Sequence, residues 1–298
     1  MSTVSPRAVV VTRPTELDAL VARHGTRAQA EFFLRASGRS IDELVARQQK
    51  LHGALERVAA AVPMRWRRAR IDRADLSRFV FGPEDVVVVV GQDGLVANVA
   101  KYLRGQPVVG VNPDPSRNDG VLAPHAPEAT GDLLAVASRG GHRIEERTMV
   151  EARLDDGQRI LALNEVFVGH RTHQSARYHI ALGDNGEAHS SSGVIVATGT
   201  GATGWARSIA RQRVKPPTMP APGERRLAFF VREPFPSVAT KTSLEQGELR
   251  EGKSLAIRSE MDDEGTLFGD GIEDDRIAFG WGRSVTVAIA PERLRLVR

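Results

Sequence analysis

The sequence predicts an N-terminal α/β domain built on an open, Rossmann-like sheet (residues 1–125), followed by an all-β sandwich (residues 126–298). Three observations point there. Residues 86–90 are five consecutive valines, too few to cross a membrane and too β-branched for a helix, so they read as a strand covered on both faces. Beyond them Val96, Val99, Ala100 and Leu103 recur at the spacing of one helix face, and residues 107–111 form another short apolar run. The crossover of 16 residues (91–106) is long enough to return the chain parallel to the first strand. From about residue 144 onward the pattern changes to short apolar runs separated by turn signals, as in a sandwich.

Taken in order, residues 8–12 form an apolar run that ends in Arg13-Pro14-Thr15, and residues 16–23 are helical in pattern. Residues 26–62 are rich in alanine, leucine and arginine. Ile41, Leu44, Leu51, Leu55 and Val58 sit at helical spacing there behind Ser40, a candidate N-cap, so one or two helices are expected. A second strand is expected at 64–71 and a short helix at 74–79. The turn-dense segment from Asn112 to Gly120 opens directly after a strand's carboxyl end, and reads either as a binding loop or as the exit to the second domain. In the β half, strands are expected at 148–154, 160–168, 177–182, 193–198, 227–231, 254–259, 276–279 and 284–289. Asp155-Asp156-Gly157 and Asp184-Asn185-Gly186 supply turns between them.

Composition narrows the function classes. With 41 basic and 37 acidic residues the net charge is only +4, a mixed surface rather than a nucleic-acid-binding one. The absence of cysteine excludes disulfides, thiolate metal sites and a cysteine nucleophile, and suits a cytoplasmic protein. No apolar stretch is long enough to span a membrane, and the first residues show neither a signal nor a transit pattern. His170, His173, His179 and His189 read as hairpin and loop residues, so no metal-ligating set of side chains is expected.

Four stretches carry the chemistry. Gly91-Gln92-Asp93-Gly94 lies where a strand ends and a helix begins, a place where free backbone N–H groups attract phosphate. Asp93 is repelled by phosphate, so it either handles a substrate hydroxyl or a metal ion, or belongs to an ordinary Asp-Gly turn. Asn164-Glu165 interrupts an apolar run, and a buried carboxylate must be paired or hydrogen-bonded. Residues 194–197 run into Thr198-Gly199-Thr200-Gly201-Ala202-Thr203-Gly204 and then a helical pattern through Trp205, a second strand–loop–helix junction. Asp270, between Gly269 and Gly271, reads by itself as a hairpin turn.

In order and spacing these stretches resemble the NAD kinase family. Its GGDG signature corresponds to Gly91-Gln92-Asp93-Gly94, its G-V-N strand end to Gly110-Val111-Asn112 and its Asn-Glu pair to Asn164-Glu165. Its Thr/Gly-rich loop corresponds to Thr198 through Trp205, and its late Asp-Gly to Asp270-Gly271. Details such as VGVNPDPSRNDGVL (109–122) and ALNEVFVG (162–169) are similar to the mitochondrial-type branch. The resemblance implies a kinase that moves a phosphoryl group from ATP or polyphosphate to the 2′-hydroxyl of the adenosine ribose of NAD or NADH. It also implies Mg²⁺ travelling with the donor phosphates, and a homodimer or higher homo-oligomer.

By the same resemblance Asp93 holds and deprotonates the attacking hydroxyl. Asn164 and Glu165 bond the dinucleotide, and Thr198, Thr200, Gly201, Thr203 and Asp270 complete its pocket. Gly91, Gln92, Gly94, Leu95 and Asn112 form the turn beside the donor. This chain departs from the family where Gln92 replaces the second glycine, Leu95 a threonine and Ala202 a serine. The donor-side loop is thus less well kept than the acceptor side, which leaves open a non-catalytic or weakly active dinucleotide-binding member of the fold, or a kinase with another acceptor.

Overall fold

Four strands form a parallel sheet, β1 (Arg7–Thr12), β2 (Arg67–Asp72), β3 (Asp85–Val90) and β4 (Pro107–Val111), in the spatial order β2-β1-β3-β4. The structure is a computed structural model and describes residues 5–139 and 143–298. The sheet belongs to the first of two units, which comprises the chain up to Glu145 together with Arg295–Arg298; the second is Glu146–Leu294.

Helices α1 (Glu16–His24), α2 (Arg27–Ala36) and α3 (Asp42–Ala61) separate β1 from β2. Thr15 starts α1 through a capping box with Asp18, and Ser40 accepts from the Asp42 amide at 3.1 Å, one residue before the capping position of α3. Helix α4 (Asp93–Ala100) joins β3 to β4, and α5 (Thr130–Arg139) follows β4. Alternation along β3 sends its valines to both faces. Val86, Val88 and Val90 meet Ala54, Leu55 and Val58 of α3 and Leu133 and Leu134 of α5. Val87 and Val89 are equally buried on the opposite face, and α4 packs against β3 and β4.

The second unit carries two antiparallel sheets. Its strands are β5 (Ile144–Leu154), β6 (Arg159–Ala162), β7 (Glu165–His170), β8 (Ala176–Leu182), β9 (Asn185–Ser191) and β10 (Val194–Ala197), and after helix α6 (Trp205–Ala210) β11 (Arg226–Val231). Then come β12 (Gln246–Arg250), β13 (Ser254–Ser259), β14 (Gly265–Gly269), β15 (Ile272–Ala278) and β16 (Ser284–Val297). One sheet runs β12-β11-β10-β7-β14-β15; in the other β16, β13, β8 and β9 are neighbours in that order, with β5 bonded to β16 and β6. Val166, Val194, Phe229 and Leu267 of the first sheet meet Tyr178, Ile180, Leu255 and Val287 of the second. Helix α6 covers the outer face at Ile195, Ala197 and Phe230.

The expected strand at 160–168 is two strands, because the chain turns at Leu163-Asn164 between β6 and β7. β9, β12 and β14 appear where no strand was expected. The sequence of β9, NGEAHSS, and that of β12, QGELR, are polar and sit at sheet edges, where alternation is weak. The compact units divide between Glu145 and Glu146, and α5 packs against β3 and β4. At the chain's end Arg295 and Leu296 pair in parallel with Pro107 and Val108.

Candidate functional site

In the first unit the site begins at the carboxyl end of β3. Gly91 is buried and donates its amide to the Val111 carbonyl at 3.0 Å, which ties the turn to the end of β4. Asp93 is the first residue of α4, and its carboxylate gathers a neighbouring loop. Oδ1 accepts from the Leu122 and Ala123 amides at 2.9 and 3.0 Å, and Oδ2 from Val121 at 2.9 Å. A carboxylate offers about four lone-pair sites, two per oxygen. Both on Oδ1 are thus taken, and one on Oδ2 remains for a hydroxyl donor.

Gln92 is exposed and extends sideways, accepting from Arg13 at 2.8 Å and donating to Asn118 at 2.9 Å. Asn112, 4% exposed, organises the loop after β4 by donating to the Asn118 carbonyl and accepting from the Asp114 amide. Gly94 is exposed, whereas Leu95 is 1% exposed and lies under Gly91, where its Cδ2 is 3.0 Å from the place a Cβ would take. A side chain so buried offers nothing to a ligand. Leu95→Thr is therefore expected to leave donor use unchanged and to cost about 1–2 kcal/mol of stability by trading buried methyl groups for a hydroxyl. Thermal melting and donor KM measured on the same preparation check this.

In the second unit the structure brings Asn164, Glu165, Thr198, Thr200, Gly201 and Asp270 together. Asp270 and Gly271 form the tight turn between β14 and β15, both with positive φ (55° and 67°). The Asp270 carboxylate does more than turn the chain: it accepts from the amides of Leu163 at 3.0 Å and Asn164 at 2.6 Å. These bonds satisfy the backbone where the chain leaves β6, and they set Asn164 and Glu165 at the start of β7. Thr198 is fully buried and closes the other side, donating to the Leu163 carbonyl at 2.5 Å and accepting from the Thr200 and Gly201 amides. Its own amide reaches the Asn164 carbonyl at 2.8 Å.

Buried Arg147 donates to the Thr200 hydroxyl at 3.4 Å, a cation that no motif announced. Thr203 is exposed and bonds the Thr200 carbonyl, so it holds the loop's shape. Trp205, next along, is covered by the Arg232 guanidinium at 4.9 Å from its ring centre and stacks on Phe167.

Burial first, and the neighbouring negative charge of Asp270 second, together push the Glu165 carboxyl up from 4.5 to about 7. The folded state thus holds this proton more tightly than the unfolded chain. The stabilisation is fully present below pH 4.5 and is lost as the pH rises through about 7. Glu165→Gln is expected to flatten the stability profile over that window and to leave the variant more stable above it by roughly 2–3 kcal/mol. Urea midpoints measured across the range test this, and a parallel shift of both profiles would contradict it.

No protein-family model matches the sequence. It is 26% identical to an NAD kinase of Chlorobaculum tepidum over 230 residues, which cover 76% of this chain and 74% of that one. It is 37% identical over 143 residues to an NAD kinase of Heliobacterium modesticaldum, with 44% of this chain and 48% of the relative covered. In fold it is similar to an NAD kinase from Archaeoglobus fulgidus crystallised with ATP (TM-score 0.58, 20% identity, 98% and 93% of the two chains). It is also similar to a yeast NADH kinase crystallised with NADH (TM-score 0.62, 13% identity, 99% and 84%). The α/β unit with its parallel sheet and the antiparallel β unit make up the NAD kinase fold. In sequence the chain is thus similar to NAD kinases over part or most of its length, and in fold it is similar to the two solved kinases.

Proposed function

We propose that this chain is an NAD kinase, which transfers a phosphoryl group from ATP or polyphosphate to the 2′-hydroxyl of the adenosine ribose of NAD or NADH. The observation that carries the reading is Asp93. It is a carboxylate at the head of a helix, at the carboxyl edge of a parallel sheet, with one lone pair of Oδ2 left after three backbone amides are served. A phosphate-binding turn alone has no use for such a group. A hydroxyl that must lose its proton does.

In the reaction the ribose hydroxyl donates its proton to Asp93 Oδ2 while its oxygen bonds the terminal phosphorus of the donor. The bond from that phosphorus to the bridging oxygen breaks, and the shortened donor leaves. Asn164 and Glu165 bond the dinucleotide, with their backbone fixed by Asp270 and Thr198. Thr200, Gly201 and Thr203 shape the loop beside them.

Mg²⁺ would accompany the donor and supply charge neutralisation for its phosphates. No group of three or more His, Cys, Asp or Glu side chains that could hold a metal occurs among the described residues. No helix among them is long and apolar enough to cross a membrane. Cytoplasmic residence, a homodimer and descent from the mitochondrial-type branch complete the proposal, the last supported by residues 109–122 and 162–169. Two-dimensional phosphorus–proton NMR of the product tests the acceptor atom: coupling to the adenosine 2′ proton is expected, and phosphorus on any other hydroxyl would overturn the assignment.

A further inference from the structure

Asp93 does not aim its remaining lone pair by itself. Its carboxylate can rotate about the Cα–Cβ and Cβ–Cγ bonds, and the three backbone amides of Val121, Leu122 and Ala123 fix that rotation. A base held in this way is only as well placed as the segment that donates to it. Residues 121–123 belong to no helix or strand, so the segment's own hold comes from its neighbours.

Beneath it lies Gly110 of β4. A Cβ added there would meet the Leu122 carbonyl oxygen at 2.1 Å and the Ala123 Cα at 2.7 Å, so only glycine lets the segment settle onto the strand. Next along, His125 runs parallel to β4: its amide donates to the Gly110 carbonyl at 3.3 Å, and its carbonyl accepts from the Asn112 amide at 2.8 Å. β16 pairs with β4 at Pro107 and Val108, and His125 takes over beyond the end of that pairing. Here β16 and the segment meet. His125 Nε2 lies 2.9 Å from the Val297 carbonyl oxygen, and Arg298 donates to the Val121 carbonyl at 3.1 Å. A carbonyl only accepts, so Nε2 carries the proton in the first of these bonds. Arg298 is anchored in turn by the Glu145 carboxylate at 2.5 Å and, through its amide, by the Arg143 carbonyl at 2.7 Å.

Val121 therefore accepts from Arg298 with its carbonyl and serves Asp93 Oδ2 with its amide. We infer that His125 and Arg298 are positioning residues for Asp93, holding the end of β16 against the segment whose amides orient the carboxylate. The inference rests on the kinase reading in one respect, that an oriented Asp93 takes the proton of the ribose hydroxyl. The two contacts differ in weight. The Arg298 side chain is 34% exposed, where a single polar contact contributes little, whereas His125 is half-buried and is the stronger half of the clamp.

His125→Phe, His125→Gln and Arg298→Ala in the full chain test this. Phenylalanine fills the space of the ring without a donor, and glutamine returns an NH₂ near the place of Nε2. Hydrogen exchange at the Val121, Leu122 and Ala123 amides is expected to quicken about tenfold or more in His125→Phe, less in Arg298→Ala, and to return toward the parent's rate in His125→Gln. Turnover is expected to follow the same order, falling roughly tenfold or more in His125→Phe. KM for NAD should change by less than about twofold, because Asn164 and Glu165 are untouched.

Unchanged exchange at the three amides in His125→Phe would overturn the inference. So would an equal effect in His125→Gln, which would assign the role to the ring's packing and not to its hydrogen bond. Arg298→Ala is a surface change that leaves the fold intact, and unchanged exchange at Val121 in that variant would remove Arg298 from the clamp whatever the histidine variants do. If NADP forms and turnover in His125→Phe equals the parent's despite faster exchange, the positioning role fails and the kinase reading stands. If the parent protein forms no NADP, the kinase reading fails, and the exchange rates decide whether His125 and Arg298 hold the segment on Asp93.

Discussion

Asp93→Asn is expected to lower turnover by roughly 10²–10⁴-fold, the usual worth of a positioned general base. The two acceptor sites on Oδ1 can survive as the asparagine carbonyl, facing the Leu122 and Ala123 amides. The new NH₂ then faces the Val121 amide, donor against donor, where Oδ2 had accepted. The same change removes the lone pair left for the substrate hydroxyl. A stability loss of about 1–3 kcal/mol accompanies the loss of turnover, because a backbone amide loses its acceptor. The two effects separate under one condition: NAD affinity measured by calorimetry below the variant's melting temperature is expected to stay near the parent's. If NAD binding is lost in step with turnover, Asp93 serves the loop and not the chemistry.

Gly201→Ala is expected to unseat the loop that carries the second unit's candidate site. A Cβ at Gly201 would lie 2.3 Å from the carbonyl oxygen of Asn164 and 2.7 Å from its carbon, both backbone atoms that cannot turn aside. The loop would have to lift away from Leu163 and Asn164, and the buried hydroxyl of Thr198 would lose its partners. The loss expected is about 3 kcal/mol or more, as for other overpacked and hydrogen-bonded core sites. NAD affinity should fall with it, since the same displacement moves Asn164 and Glu165. A variant with the parent's melting temperature and NAD affinity would show that the loop does not need this close approach.

The sequence is most informative where a residue type admits one environment. Five valines in a row have nowhere to go but the middle of a covered sheet, and β3 is buried along its whole length. The Asp-Gly turns, the strand–turn–helix at Asp93 and the loop after β4 were legible for the same reason. Strand order was not legible, because parallel neighbours are chosen by packing across the whole sheet. Arg13 follows β1 and Gln92 follows β3, 79 positions away, and only the adjacency of those strands brings them into contact. Asp270 was legible as a turn, but not as the group that satisfies two amides more than a hundred residues upstream. Arg147 gave no signal at all, as an arginine inside a strand ordinarily marks a solvated face, yet here it is buried beside Thr200.

The most direct measurement is NADP formation by the purified protein with Mg²⁺, NAD and either ATP or polyphosphate, run beside the Asp93→Asn variant. An NAD kinase built as described yields NADP from at least one donor and loses that turnover in the variant, which still binds NAD. Wild-type protein that binds NAD and forms no NADP from either donor would contradict it.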